Sequence, residues 1–228
     1  MNLTCRKAAK ILYILSCALS IIIAVLYFFA GLRRLYALLL AILTLVIYLS
    51  AIKIYNIREA DDRKKRRFAK LCMITISILY IILLLYLMFF NELRSASAAI
   101  NSNTGNPARY NLIPFKTISE FYSIGGQGFY KAALVNILGN ILVFMPMGII
   151  LPLAFQAQRK SGIFMVTSLG ILLLIEFLQM LLGVGVFDID DIILNFIGAA
   201  LMYMLFKMKN FREKIFQFFG FIKSTNAK

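Results

Sequence analysis

LCMITISILYIILLLYLMFF, residues 71–90, holds twenty consecutive positions with no charged residue and no amide. At a rise of 1.5 Å per residue, about 20 apolar residues cover the roughly 30 Å hydrocarbon layer of a bilayer. The stretch shows none of the period-two alternation of a barrel strand, so it predicts a membrane-spanning helix. Working outward, 9–30 and 35–53 before it and 132–154, 162–182 and 190–206 after it pass the same test. The chain of 228 residues is 61% hydrophobic and 15% charged. A soluble domain is about a quarter charged and no more than half apolar. The predicted fold is all-α, a polytopic membrane protein of about six transmembrane helices.

Charge sets the expected orientation. The net charge is +15, which raises nucleic acid as a partner until its distribution is read. With the first helix running outward, nineteen of the 25 Lys and Arg residues fall on cytoplasmic segments, among them the Arg63–Arg67 run. Arg33, Arg34, Arg94, Arg109, Lys116 and Lys131 fall outside. The positive-inside rule therefore predicts cytoplasmic N- and C-termini. The basic run reads as a topogenic cluster facing anionic headgroups. The expected partner is the lipid bilayer of the cytoplasmic membrane, not nucleic acid. Cys5, Cys17 and Cys72 have neither disulfide nor metal spacing, and the chain contains no histidine, the commonest general base and transition-metal ligand.

Three regions follow. Residues 1–60 form a transmembrane hairpin turning at Gly31-Leu32-Arg33-Arg34, whose two segments carry no acid and no amide. A polar loop around 54–70 separates it from a four-helix core, residues 61–210, and 211–228 is a basic cytoplasmic tail. Within the core an outer loop spans 91–130. Its first part, Ser95 to Pro107, reads as flexible loop. Its second part is apolar and aromatic: Tyr110-Asn111-Leu112-Ile113-Pro114-Phe115, then Phe121, Tyr122, Phe129 and Tyr130. That composition beside a membrane predicts an interfacial segment.

Polar groups inside hydrocarbon are costly and face the bundle interior, so their positions carry the functional information. In segment 132–154, Asn136 and Asn140 share a face, Gly139 is expected to allow close backbone approach, and Pro146 predicts a kink that frees the Leu142 carbonyl. Glu176 and Gln179 share a face of 162–182. Asp188, Asp191 and Asn195 share a face at the start of the last segment, while Asp190 points elsewhere. The alternating helix directions bring all these groups to the outer half of the membrane, with Lys116, Arg109 and Lys131 on the same side. Asn and Gln serve as interhelical glue at about 0.6–2 kcal/mol per bond. A carboxylate at a helix centre costs about 2.5–3.5 kcal/mol even on the lenient scale. One aspartate is enough to cap a helix, so Glu176 and three aspartates exceed glue and capping. The candidate binding set is Asn136, Asn140, Glu176, Gln179, Asp188, Asp190, Asp191, Asn195, Arg109 and Lys116. Catalytic residues, metal and cofactor stay unassigned.

The assembled pieces resemble the VanZ family of bacterial membrane proteins. They are Asn111-Leu112-Ile113-Pro114-Phe115, Asn136-Ile137-Leu138-Gly139-Asn140 leading to Phe144-Met145-Pro146-Met147-Gly148, Glu176-Phe177-Leu178-Gln179, and Phe187-Asp188-Ile189-Asp190-Asp191 with Asn195 and Gly198. Their order covers residues 71–205. Some relatives carry an arginine between the last two motifs, where this chain has Gly183-Val184-Gly185-Val186. The resemblance implies a place in the cell envelope and a contribution to resistance against teicoplanin-type glycopeptides. Three readings of the mechanism stay open. The chain binds or handles an envelope lipid or lipid-linked precursor, it partners other envelope proteins without catalysis, or it acts as an intramembrane enzyme on a lipid-linked phosphate. In the last case Glu176, Asp188 and Asp191 would hold a hard cation such as Mg²⁺.

Overall fold

A computed structural model describes residues 2–29, 34–59, 61–89, 110–116, 119 and 127–221. The described chain is helical but for short turns and one two-residue strand pair. Its elements are α1 (Asn2–Phe29), α2 (Arg34–Arg58), α3 (Asp62–Phe89), β1 (Tyr110–Asn111), α4 (Gln127–Phe144), α5 (Met147–Ala154), a 3-10 turn (Gln156–Arg159), α6 (Ser161–Leu181), β2 (Phe187–Asp188), α7 (Ile189–Lys207) and α8 (Lys209–Phe218). Among the described residues, four helical spans are long and apolar enough to cross a membrane: Asp62–Phe89, Ala133–Ala154, Ser161–Leu181 and Ile189–Lys207. The predicted turn at Gly31–Arg33, the loop from Ser95 to Pro107, and Phe121 and Tyr122 lie outside the described residues.

One segment differs from the expectation. The predicted loop 54–70 is almost wholly helix, because α2 runs on to Arg58 and α3 opens at Asp62. Lys and Arg are good helix formers, so polarity alone did not mark a loop there. The break is set by capping: the Asp61 carboxylate accepts the backbone N–H of Arg63 at 2.8 Å and of Lys64 at 3.4 Å, the N-cap pattern. Most of helix α8 lies in the basic tail. It ends at Gly220, φ +76°, where the Phe221 N–H reaches the Phe216 carbonyl and the Gly220 N–H the Gln217 carbonyl. That is a Schellman closure, which needs the left-handed glycine.

The chain divides into two compact units, residues 1–72 with 212–228, and residues 73–211. The first unit thus takes in the opening of α3 and most of the tail. Small buried residues, Ala9 and Ser16 of α1 and Ala51 of α2, let helices approach closely, as membrane helix pairs require. Around them Phe68 stacks on Tyr55 with ring centroids 4.0 Å apart and meets Tyr13 edge-on at 5.6 Å. Tyr48 donates its hydroxyl hydrogen to the Cys72 carbonyl at 2.6 Å. Asn56, an amide on α2 beyond the predicted end of its segment, donates to the Phe218 carbonyl at 2.6 Å.

The second unit packs around Leu84, Met88, Phe144, Met147, Phe164, Leu172 and Tyr203. Phe164 and Tyr203 stack at 3.9 Å. Pro146 splits the fourth predicted segment into α4 and α5, as its missing N–H requires. Beside the kink the Val143 carbonyl accepts the Tyr80 hydroxyl hydrogen at 3.1 Å. Close helix contact falls at Gly148 and Gly198 rather than at Gly139. A Cβ on Gly198 would overlap the Ile141 backbone and one on Gly148 the Ala199 carbonyl, whereas Gly139 faces open space. Burial in this unit is inverted relative to a soluble protein. Glu176 is 1% exposed and Asp190 2%, while Val166 is 73% and Leu181 67% exposed. Such a surface suits hydrocarbon, not water.

Candidate functional site

The buried polar residues meet where α6 ends and α7 begins. Gly183, φ +70°, terminates α6 in a second Schellman closure, with Val184 N–H on the Gln179 carbonyl and Gly183 N–H on the Met180 carbonyl. Glycine takes this left-handed turn without steric cost, which turns the chain back along α6. The returning strand β2 places the Asp188 N–H against Glu176 Oε2 at 3.3 Å. Glu176 therefore accepts a backbone hydrogen bond from the residue that starts the next helix.

Asp188 is the N-cap of α7, its Oδ1 accepting the Asp190 N–H at 2.9 Å. Asp191, one turn further on, accepts from the Asn140 amide of α4 at 2.6 Å. Asp190 leaves the stripe shared by Asp188, Asp191 and Asn195, yet it is the most buried of the three aspartates. It accepts the Phe115 N–H. That contact belongs to a strap, residues 110–116, which the sequence reading placed at the membrane interface and among the pieces of the family resemblance, with Lys116 as its only candidate site residue. Strand β1 pairs in parallel with β2, Tyr110 opposite Phe187 and Asn111 opposite Asp188. The Asn111 amide donates to Asp188 Oδ1 at 3.2 Å, and its own carbonyl oxygen accepts the Ile113 N–H at 3.3 Å, an Asx turn. Phe115 sits at φ 64°, rare for a bulky residue and costing about 1–3 kcal/mol. Its N–H bond to Asp190 helps hold it there. The side chains of Tyr110, Leu112, Ile113 and Phe115 are all about 60% exposed, so the strap presents apolar groups outward while its backbone and Asn111 grip the aspartates.

The other candidates divide. Gln179, fully buried, donates from Nε2 to the Met88 carbonyl at the end of α3 at 2.7 Å, a bond between helix ends, while its Oε1 has no partner among the described residues. Asn195 is 1% exposed, and neither Nδ2 nor Oδ1 has a partner among the described residues. Asn136 is half-buried and joins none of the bonds described above. Lys116 is exposed at the end of the strap. Arg109 and the side chain of Lys131 lie outside the described residues. No three His, Cys, Asp or Glu side chains among the described residues form a group able to hold a metal ion.

Sequence reasoning missed Asn111 and the strap. The available signal was Asn111 followed by Pro114, a turn pairing with a known mechanism, inside a motif already tied by resemblance to the aspartate motif.

Levels along the helices coincide. Asn140, Glu176 and Asp191 stand roughly 21–24 Å from the far ends of their spans at 1.5 Å per residue. They form one polar layer within apolar helices. Fold and layer together define the class: a helical membrane protein whose second unit keeps carboxylates and amides inside and hydrocarbon side chains outside. The chain belongs to the VanZ/LLP1 family, which is matched over residues 77–211. No curated protein and no solved structure matches the chain.

Proposed function

We propose that the polar layer binds the headgroup of an envelope lipid or lipid-linked precursor from the outer leaflet of the cytoplasmic membrane. Through that binding the protein contributes to resistance against teicoplanin-type glycopeptides. The observation that carries this reading is the burial of Glu176, Gln179, Asp190 and Asn195, each at most 2% exposed, within helices whose outer surface is apolar. Burying an ionisable group in hydrocarbon is costly, and such groups mark binding or transfer paths. The excess of Lys and Arg on the opposite side of the predicted topology supports the outward orientation.

Holding a headgroup is favoured over passing it through. Beyond the layer the unit is filled by the buried side chains of Phe144, Phe164, Leu172 and Phe206, with Phe164 stacked on Tyr203. Binding is also favoured over metal-assisted chemistry, because the carboxylates engage separate backbone and amide donors instead of converging on one point. The test is reconstitution of the full chain in liposomes of envelope lipid extract, followed by native mass spectrometry of retained lipid. Glu176→Gln is expected to lower retention at least about tenfold, the loss of one charge-assisted hydrogen bond, and to lower teicoplanin resistance in a susceptible host. Equal retention by variant and wild type would overturn the proposal.

A further inference from the structure

Helix α8 opens where hydrocarbon ends. The last apolar segment closes at residue 206, Lys207 ends α7, and Met208 is extended at φ −64°, ψ 122° before α8 starts at Lys209. Phe211, Ile215 and Phe218 then recur at i, i+4 and i+7, with Phe219 on the same side. Lys209, Asn210, Glu213, Lys214 and Gln217 take the opposite side, the pattern of an amphipathic helix. No residue of α8 is buried by the described chain, so the apolar side stays partly open. The helix is also pinned. The Asn56 amide, just past the apolar run 35–53 of α2, donates to the Phe218 carbonyl at 2.6 Å, and a Cβ on Gly220 would stand 2.7 Å from Asn56 Oδ1. Both ends of α8 are therefore tied to residues just outside an apolar segment.

We propose that α8 lies flat in the headgroup region of the cytoplasmic leaflet, its apolar side among the upper acyl chains and its cations on anionic lipid. Charge argues for that occupant. Lys207, Lys209, Arg212 and Lys214 stand against the single acid Glu213. In the unit that holds residues 212–228, the α2–α3 corner after Asn56 exposes Arg63, Lys64, Arg66, Arg67 and Lys70. The anionic headgroups of the cytoplasmic leaflet attract juxtamembrane basic segments of this kind. Phenylalanine on one side with Lys and Arg on the other is the composition of an interfacial helix. Arg212, at the border of the two sides, reaches phosphate with its head while its stem stays on apolar surface. A nucleic acid or an acidic protein surface would satisfy the cations but leave the phenylalanines in water. Neither Glu176 nor Asp190 takes part, so failure of the headgroup reading would leave this surface untouched.

The chain contains no tryptophan, so a single one introduced into it reports its own surroundings. The full chain carrying Ile215→Trp is reconstituted in phosphatidylcholine vesicles with and without phosphatidylglycerol, with ordinary or with brominated acyl chains, which quench indole fluorescence on contact. In the anionic vesicles Ile215→Trp should show blue-shifted emission and lose most of it to brominated lipid. Gln217→Trp, on the polar side, should do neither. Phe218→Trp, a substitution close in size, should repeat the Ile215→Trp result. Without phosphatidylglycerol the quenching should fall. Equal quenching on the two sides of the helix, or none on either, would overturn the interfacial placement. Blue-shifted emission that brominated lipid leaves intact would mean that protein, from this chain or a second copy, covers the apolar side, and would overturn it too. Quenching independent of phosphatidylglycerol would overturn the role assigned to the cations.

Discussion

At Gly148 and Gly198 the missing Cβ is what lets α4 and α5 lie against α7, since any side chain there would enter a neighbouring backbone. Gly198→Val is expected to lower stability by about 2–4 kcal/mol through overpacking, read as a drop in the detergent melting curve. Gly139→Ala faces open space and should instead gain about 0.5–1 kcal/mol of helix stability. A loss at Gly139 comparable to that at Gly198 would contradict the packing described. The Asn140–Asp191 bond can be isolated by a double-mutant cycle with both residues changed to Ala. Its coupling should be about 1–2 kcal/mol, and strict additivity would mean that the two side chains do not interact. Residue types and spacing announced most of these polar groups. Nothing in the sequence told which glycine closes a helix pair, because that depends on where two helices cross.

Helix ends and the strap carry the next set of expectations. The Arg63 N–H holds the Asp61 carboxyl below the ordinary carboxylate value, outweighing desolvation, with Lys64 N–H and the nearby charges adding to it. A lowered folded-state value means that the cap is fully stabilising above the unfolded value, about 3.9, and is lost as pH falls through the lower, folded one. The melting temperature of Asp61→Ala should therefore lie below wild type at neutral pH, with the gap closing only under strongly acid conditions. A gap independent of pH would refute the charged cap. For the strap, Asp190→Ala removes the acceptor of the Phe115 N–H. Hydrogen exchange at Phe115 should speed up markedly in that variant, while amides in the middle of α6 keep their protection. The helix spans 162–182 and 190–206 were legible almost to the residue because apolar length reports them directly. The helix across 54–70 was not, since basic residues suit helix and loop alike and only the Asp61 cap marks the true break.

For the whole molecule, the positive-inside rule makes orientation a direct prediction. In a cysteine-free background, Ser95→Cys should react with a membrane-impermeant thiol reagent in intact cells, and Thr225→Cys only after permeabilisation. The opposite pattern would move the polar layer to the cytoplasmic side and end the envelope-facing proposal. The sequence by itself determined that this is a helical membrane protein and which side chains are too costly to leave in lipid. Both follow from summed transfer free energies, which depend on composition and length and not on partners. Only the tertiary structure decided what those side chains do. The strap and α7 are joined by a bond across 77 positions of sequence, and Asn140 meets Asp191 across 51. Such pairings depend on helix rotation, on crossing points set by two glycines, and on the Gly183 turn. The candidate set that began as a list of polar residues at one depth thereby separated into Gln179 as a tie between helix ends, Asp188 as a cap, Asp190 as the anchor of the strap, and Asn195 as a buried amide without a partner among the described residues.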